Sequence, residues 1–152
     1  MFEQICQWLD EHEVAYRSVH HEPTPTSEES ARARGEDLKT GGKALLLKVG
    51  KQFHLFVLSA ARKLDAPAVK KKLGAKKLRF ASREELHQLT GLQPGAVPPF
   101  GKPFFELQLY VDTSIPENEK IAFNAGSLTD SVIMKTTDYL RLANPIIFSF
   151  SK

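Results

Sequence analysis

Cysteine is almost missing from this 152-residue chain. Cys6 stands alone, which excludes an intrachain disulfide and any zinc site of the CxxC type. A reducing compartment fits that usage, and the cytoplasm is the expectation. Long apolar runs are missing too. The longest, such as Leu55-Phe56-Val57-Leu58, have strand length and cannot span a bilayer, so no membrane partner is expected. Met1 to Asp10 is too short and too mixed to read as a signal peptide. The common catalytic signatures are absent: no HExxH, no GxSxG, no Walker lysine loop, no GxGxxG after a strand. His12, His20, His21, His54 and His87 show no metal-ligand spacing, so no metal site is expected. Cys6 falls beside core positions of the first helix and reads as a small buried apolar residue rather than a nucleophile.

Strong net charge is also lacking, at +3, but its distribution is uneven. Between Arg62 and Arg83 lie Lys63, Lys70, Lys71, Lys72, Lys76, Lys77 and Arg79, with Asp65 the only acid. Acids gather instead from Glu22 to Asp37 and from Glu106 to Glu119. A one-sided basic segment is the footprint of a phosphate-backbone partner, or else a solvated lysine-rich helix.

Apolar residues at Phe2, Ile5, Trp8 and Leu9 predict a helix over 2–13. Tyr16 to Val19 reads as a strand and 20–25 as a loop. Thr26 and Glu29 have capping-box spacing, which predicts a helix from Ser27 to Arg34 that stops at Gly35. Lys43 to Val49 and Gln52 to Leu58 read as strands joined by Gly50-Lys51 in a type II′ turn, the second buried on both faces. Asp65 is placed to cap a helix with Pro67 in its first turn and Gly74 at its end. Leu78 to Phe80 is a brief strand, and Ser82 with Glu85 opens a helix ending before Gly91. Residues 93–103 are too rich in proline and glycine for regular structure. Phe105 to Asp112, Lys120 to Asn124, Ser131 to Lys135 and Ile146 to Phe150 complete the strands, and Thr137 is placed to cap a helix reaching Leu142. Without strict β-α alternation, the expectation is one domain over 1–152 of mixed α/β class. Its sheet is expected to be curled and barrel-like, of about six or seven strands flanked by helices.

Three segments are candidates for chemistry. In Gly41-Gly42-Lys43-Ala44-Leu45-Leu46-Leu47 a lysine opens an apolar strand after a flexible diglycine. It can pin a phosphate or stabilise developing negative charge, or simply be a strand-end lysine reaching solvent. In the loop Gly95 to Gly101, glycines admit a ligand close to the backbone and prolines stiffen it; a plain crossover loop is the alternative. Asn124 to Ser131 surrounds a glycine with small polar residues, as the wall of a binding site or an ordinary turn.

Taken in order, these segments resemble the YbaK/ProX family of aminoacyl-tRNA deacylases, relatives of the editing domain inserted in bacterial prolyl-tRNA synthetases. The resemblance runs over nearly the whole chain. It includes His-Glu-Pro-Thr-Pro-Thr-Ser-Glu-Glu, Gly-Gly-Lys-Ala-Leu-Leu-Leu-Lys, Lys-Leu-Gly-Ala-Lys-Lys-Leu-Arg-Phe-Ala-Ser, Gly-Ala-Val-Pro-Pro-Phe-Gly and Phe-Asn-Ala-Gly-Ser.

The resemblance implies hydrolysis of the ester joining a wrong amino acid to a tRNA 3′ end, of the tRNA-Pro class, without a cofactor. It implies that Lys43 is the key functional residue and that Gly95 orients the ester and water. It further implies that Thr26, Ala96, Val97, Pro98, Pro99, Gly101, Asn124, Gly126 and Ser127 line the substrate pocket. Lys63, Lys70, Lys71, Lys72, Lys76 and Lys77 are then the tRNA-binding residues, and an aminoacyl-tRNA synthetase is a possible second partner. Two departures leave the amino acid open. Phe123-Asn124-Ala125 stands where alanine-specific members often carry histidine and proline, and in the turn Ser127 and Leu128 follow Gly126 where the cysteine-specific type carries Gly-x-Arg. The competing readings are a non-catalytic tRNA- or nucleotide-binding module of the same fold, and a structural interaction domain. The last would have no cleft beside Lys43.

Overall fold

A computed structural model describes residues 1–24 and 26–152; Pro25, the last residue of the expected loop, lies outside them. Helix α1 (Phe2–Glu11) buries Ile5 and Leu9 completely, one helical turn apart, as the spacing requires. Strand β1 (Tyr16–His20) follows. Helix α2 (Ser27–Arg34) starts where the Thr26 hydroxyl accepts the Glu29 N–H at 3.1 Å and stops at Gly35, which turns left-handed at φ 72°. A 3-10 turn (Leu38–Thr40) leads into the hairpin of β2 (Gly42–Val49) and β3 (Gln52–Ser59), with Val49 opposite Gln52 across Gly50-Lys51.

Helix α3 (Ala66–Leu73) is capped by the Asp65 side chain, strand β4 (Leu78–Phe80) follows, and α4 (Arg83–Thr90) carries the full Ser82–Glu85 capping box. Then come β5 (Leu109–Asp112), β6 (Lys120–Asn124), β7 (Asp130–Lys135), α5 (Thr136–Ala143) and β8 (Ile146–Phe148).

The fold is mixed α/β, with five α-helices and eight strands in two sheets among the described residues. One sheet runs β4-β2-β3-β5-β8, antiparallel through β4, β2 and β3 and parallel from β3 to β8. The other, β1-β7-β6, is antiparallel. Among the described residues they are bridged only at Gly41–Ala122 and do not close into a barrel, so the expected barrel-like closure is not found. The main core fills the space between them. Leu46, Leu55, Val57 and Val111 face Ile121, Phe123, Val132 and Met134, with Leu9, Leu86 and Tyr139 added from helices. A second cluster on the far face of β2 and β3 sets Leu47, Phe56 and Leu58 against Val69 of α3 and Phe150. The leucine-rich run of β2 and the two-sided apolar pattern of β3 follow from this double burial.

Three further expectations need correction. The strand expected from Phe105 starts only at Leu109, because the Gly101 carbonyl accepts the N–H groups of Phe104 and Phe105 and keeps the chain turning. Thr137 does not cap α5, which already begins at Thr136. The entry is fixed by a tertiary bond, the Thr136 N–H donating to the Glu119 carbonyl at 2.9 Å. The last strand stops at Phe148, because the Phe150 N–H is taken by the Asp112 carboxylate at 2.6 Å.

Asp112 is fully buried at the end of β5. Burial alone pushes its carboxyl up, but donors from Ser114, the Phe150 N–H and the Ser151 hydroxyl hold it below the usual range. Its contribution to stability is therefore complete above the unfolded carboxyl pKa and is lost as pH falls through the lower folded one. Asp112→Ala is expected to cost about 3 kcal/mol by stranding the buried Ser114 and Phe150 N–H groups and the half-buried Ser151 hydroxyl. Urea unfolding checks this, and the gap from wild type should narrow under acid. Among the described residues no helix is long and apolar enough to cross a membrane.

Candidate active site

β2 is paired with β3 along its whole length but with β4 only over Leu47–Val49. The half from Gly42 to Leu45 is left with an open edge, and the site forms there. Thr24, Ser30 and Arg34 approach from the α2 side, the Gly95 loop from another, and Asn124 and Leu128 from the β6–β7 turn. Together they enclose a cavity of about 430 Å³ beside Lys43. A purely structural interaction domain would have no such cleft.

Gly41 and Gly42 serve packing rather than flexibility. A Cβ on Gly42 would lie 2.7 Å from Ile121, and one on Gly41 3.1 Å from the Ala60 methyl. Gly42 lets β2 meet β6 closely and Gly41 makes room for Ala60, and the next residue, Lys43, lies at the cavity. Lys43 is half-buried, and burial first, then the charge of Lys63, push its amine below the ordinary lysine value.

Of the other residues expected to line a pocket, Gly95, Val97, Thr26 and Asn124 do so. Ala96, Pro98, Pro99 and Gly101 do not: they are buried behind the loop as its anchor. The Ala96 carbonyl accepts the Gly126 N–H at 2.9 Å, and the Pro99 carbonyl accepts the Tyr139 hydroxyl. A Cβ on Gly101 would meet the Leu107 carbonyl at 2.6 Å. Gly126 and Ser127 also stand outside the lining. Gly126 gives room to the Met1 side chain, and the Ser127 hydroxyl holds its own turn by accepting from the Thr129 and Asp130 N–H groups.

The residue that sequence reasoning missed is Arg34. It is 8% exposed and lines the cavity. Its Nε donates to the Ser131 hydroxyl at 2.9 Å and its Nη2 to Asn124 Oδ1 at 3.0 Å. Among the described residues no carboxylate stands within ion-pair distance of it. Burial pushes it down to about 10. Asn124 passes the connection on, its Nδ2 donating to the Gly95 carbonyl at 2.8 Å. One faint signal existed. The buried positions of α2 are Ser30, Ala31 and Arg34, an inward stripe at helical spacing that is polar where a core helix would be apolar.

Chemically the cavity offers a desolvated cation, a second buried cation behind an amide, and a stiff loop backbone. His21 Nε2 lies 2.8 Å from the Ser131 hydroxyl, but Ser131 is fully buried and already accepts from Arg34, so this pair presents no nucleophile to the cavity. Among the described residues no three His, Cys, Asp or Glu side chains gather as a metal-holding group.

The basic segment divides over the surface. Lys70, Lys76, Lys77 and Arg79 line a groove with Lys48 beside the Gly50 turn. Lys63 acts electrostatically on Lys43, Lys71 is exposed, and Lys72 lies over the Phe148 ring.

Residues 21–142 match the family model described as an aminoacyl-tRNA editing domain. The chain is 36% identical over 156 aligned residues to the multifunctional Ser/Thr-tRNA deacylase ProXp-y of Escherichia coli K12, covering 99% of this chain and 92% of that protein. It is 29% identical to the prolyl-tRNA editing protein ProX of Acetoanaerobium sticklandii, covering 86% and 82%. A crystallised protein described as a candidate trans-editing enzyme for prolyl-tRNA synthetase shares the fold, with a TM-score of 0.86 over 99% of this chain and 96% of that one at 24% identity. With a match over most of its length and a cavity built around the strand-opening lysine, the chain belongs to the aminoacyl-tRNA editing domain family.

Proposed function

We propose that this chain, as one domain over residues 1–152, is a trans-editing deacylase that hydrolyses the ester of a mischarged tRNA. The observation that carries the reading is the placement of Lys43 and the Gly95 loop on walls of one cavity, in a chain of this family. An aminoacyl ester is activated, so positioning a water and stabilising charge suffice. Lys43 supplies the positive charge, toward the developing oxyanion or the terminal phosphate. The Gly95 backbone orients ester and water. Arg34, through Asn124, holds that backbone in place.

The amino acid removed is small and hydroxylated. Thr24, Ser30 and Asn124 give the cavity hydrogen-bonding walls, and the relative at 36% identity is named for serine and threonine. The tRNA is of the proline class, and a synthetase that releases the mischarged product is the natural partner, in the cytoplasm. A deacylation panel of tRNAs carrying serine, threonine, alanine and cysteine tests the reading. Turnover of the seryl or threonyl esters is expected. Binding without turnover on any ester would mark the chain as a binding module and overturn it.

Lys63, Lys70, Lys71, Lys72, Lys76 and Lys77 bind the acceptor stem in this reading. Reversing Lys76 and Lys77 to Glu is expected to weaken tRNA binding and flatten its salt dependence by about 0.9 in log–log slope per lost phosphate contact. Filter binding across a salt series measures it.

A further inference from the structure

Phe80 is 57% exposed at the end of β4, and it is the one exposed Phe, Tyr or Trp among the described residues. A single exposed apolar side chain is ordinary on a protein surface, so what singles this ring out is its position beside the site. The ring borders a second, smaller cavity of about 160 Å³, lined also by Leu45, Ala81, Arg83, Leu86 and Gly95. This slot adjoins the main cavity, since Leu45 and Gly95 line both. On its other side β4 leads through Arg79 into the groove of Lys48, Lys70, Lys76 and Lys77.

We infer that the Phe80 slot is the seat of the terminal adenine base of the tRNA 3′ end. The inference rests on the deacylase reading. If the ester lies beside Lys43, the base on the same ribose must lie within one nucleotide's reach, and the slot is the adjoining space. Its size suits one planar base. Its chemistry is that of single-strand recognition, an aromatic platform with a cation, Arg83, at the rim. Arg79 contributes less charge, since it is held by Glu85 at 2.7 and 2.9 Å. The acceptor strand then runs from Lys43 past Phe80 to the lysine groove, along the edge of β2 that β4 only partly covers.

The test compares wild type, Phe80→Ala and Phe80→Tyr on seryl- or threonyl-ester minihelices ending either in adenosine or in an abasic ribose. Loss of one base–aromatic stack is expected to raise the KM of Phe80→Ala about tenfold on the adenosine substrate, with kcat little changed. Phe80→Tyr recovers most of the loss, and on the abasic substrate all three proteins have similar KM. An unchanged KM in Phe80→Ala, or an equal rise on both substrates, overturns the seat. A parallel measurement, anisotropy of the uncharged minihelix, separates the two ideas. Weaker binding by Phe80→Ala without turnover by any protein would retire the deacylase reading and keep the adenine seat. Turnover with Phe80-independent KM and binding would do the reverse.

Discussion

Lys43→Ala is expected to lower the deacylation rate by about 10²- to 10³-fold, the loss typical when one charge-stabilising donor is removed from a water-poor site. The fold should survive. The side chain is half-buried at the rim of a cavity, so its removal enlarges a space that already exists and leaves no cavity in either apolar cluster. Thermal unfolding of the variant next to wild type checks that point, and single-turnover deacylation checks the rate. A near-normal rate would remove Lys43 from the reaction.

The pH profile then separates its possible roles. Burial, then Lys63, hold the amine below the ordinary lysine value. If it acts as a cation, the rate is full while the amine is protonated and falls as pH rises through that lowered value. If it acts as a base, the rate rises over the same interval. The falling limb is expected, and Lys63→Ala should move it to higher pH by removing the repulsion.

Arg34→Ala should produce the second large loss, about ten- to a hundredfold in kcat, corresponding to the 1.5–3 kcal/mol of a hydrogen bond to a charged group. The path is indirect. Without the guanidinium, Asn124 Oδ1 keeps only the weaker donor Ser131 at 3.2 Å, and the amide that holds the Gly95 carbonyl is less firmly fixed. Arg34→Lys is not expected to rescue, because an ammonium cannot reach Ser131 and Asn124 in the forked arrangement of Nε and Nη2. Asn124→Ala should resemble Arg34→Ala, and the double variant should lose little more than either alone. Steady-state kinetics with a melting curve for each protein decides it. If activity falls only in step with the folded fraction, or if the two losses add, the connection is structural and Arg34 does not position the loop.

The sequence was most legible where the determinants are local. α2, α3 and α4 begin and end where expected because each cap is made within three or four residues of the helix end, as with Thr26, Asp65 and Ser82. The β2–β3 hairpin was legible for the same reason. α5 was misplaced because its entry is set by Glu119, seventeen positions before Thr136. The expected lining residues divide between cavity wall and buried anchor because resemblance carries over a motif as a block. In Gly95 to Gly101 only part of the block, Gly95 and Val97, faces the cavity, while its neighbours anchor the loop to Gly126 and Tyr139.

By itself, then, the sequence determined the family, the local elements and the candidacy of Lys43, since turn chemistry, capping and motif order are written in consecutive residues. Only the tertiary structure decided that the strands divide into two sheets, that the diglycine is a packing contact, and that Arg34 belongs to the site. Its partners Ser131 and Asn124 stand 97 and 90 positions away. A buried guanidinium satisfied by neutral groups has no local signature. Its placement depends on two sheets meeting at Gly41 and Ala122, where desolvation is offset by donors and acceptors from distant parts of the chain.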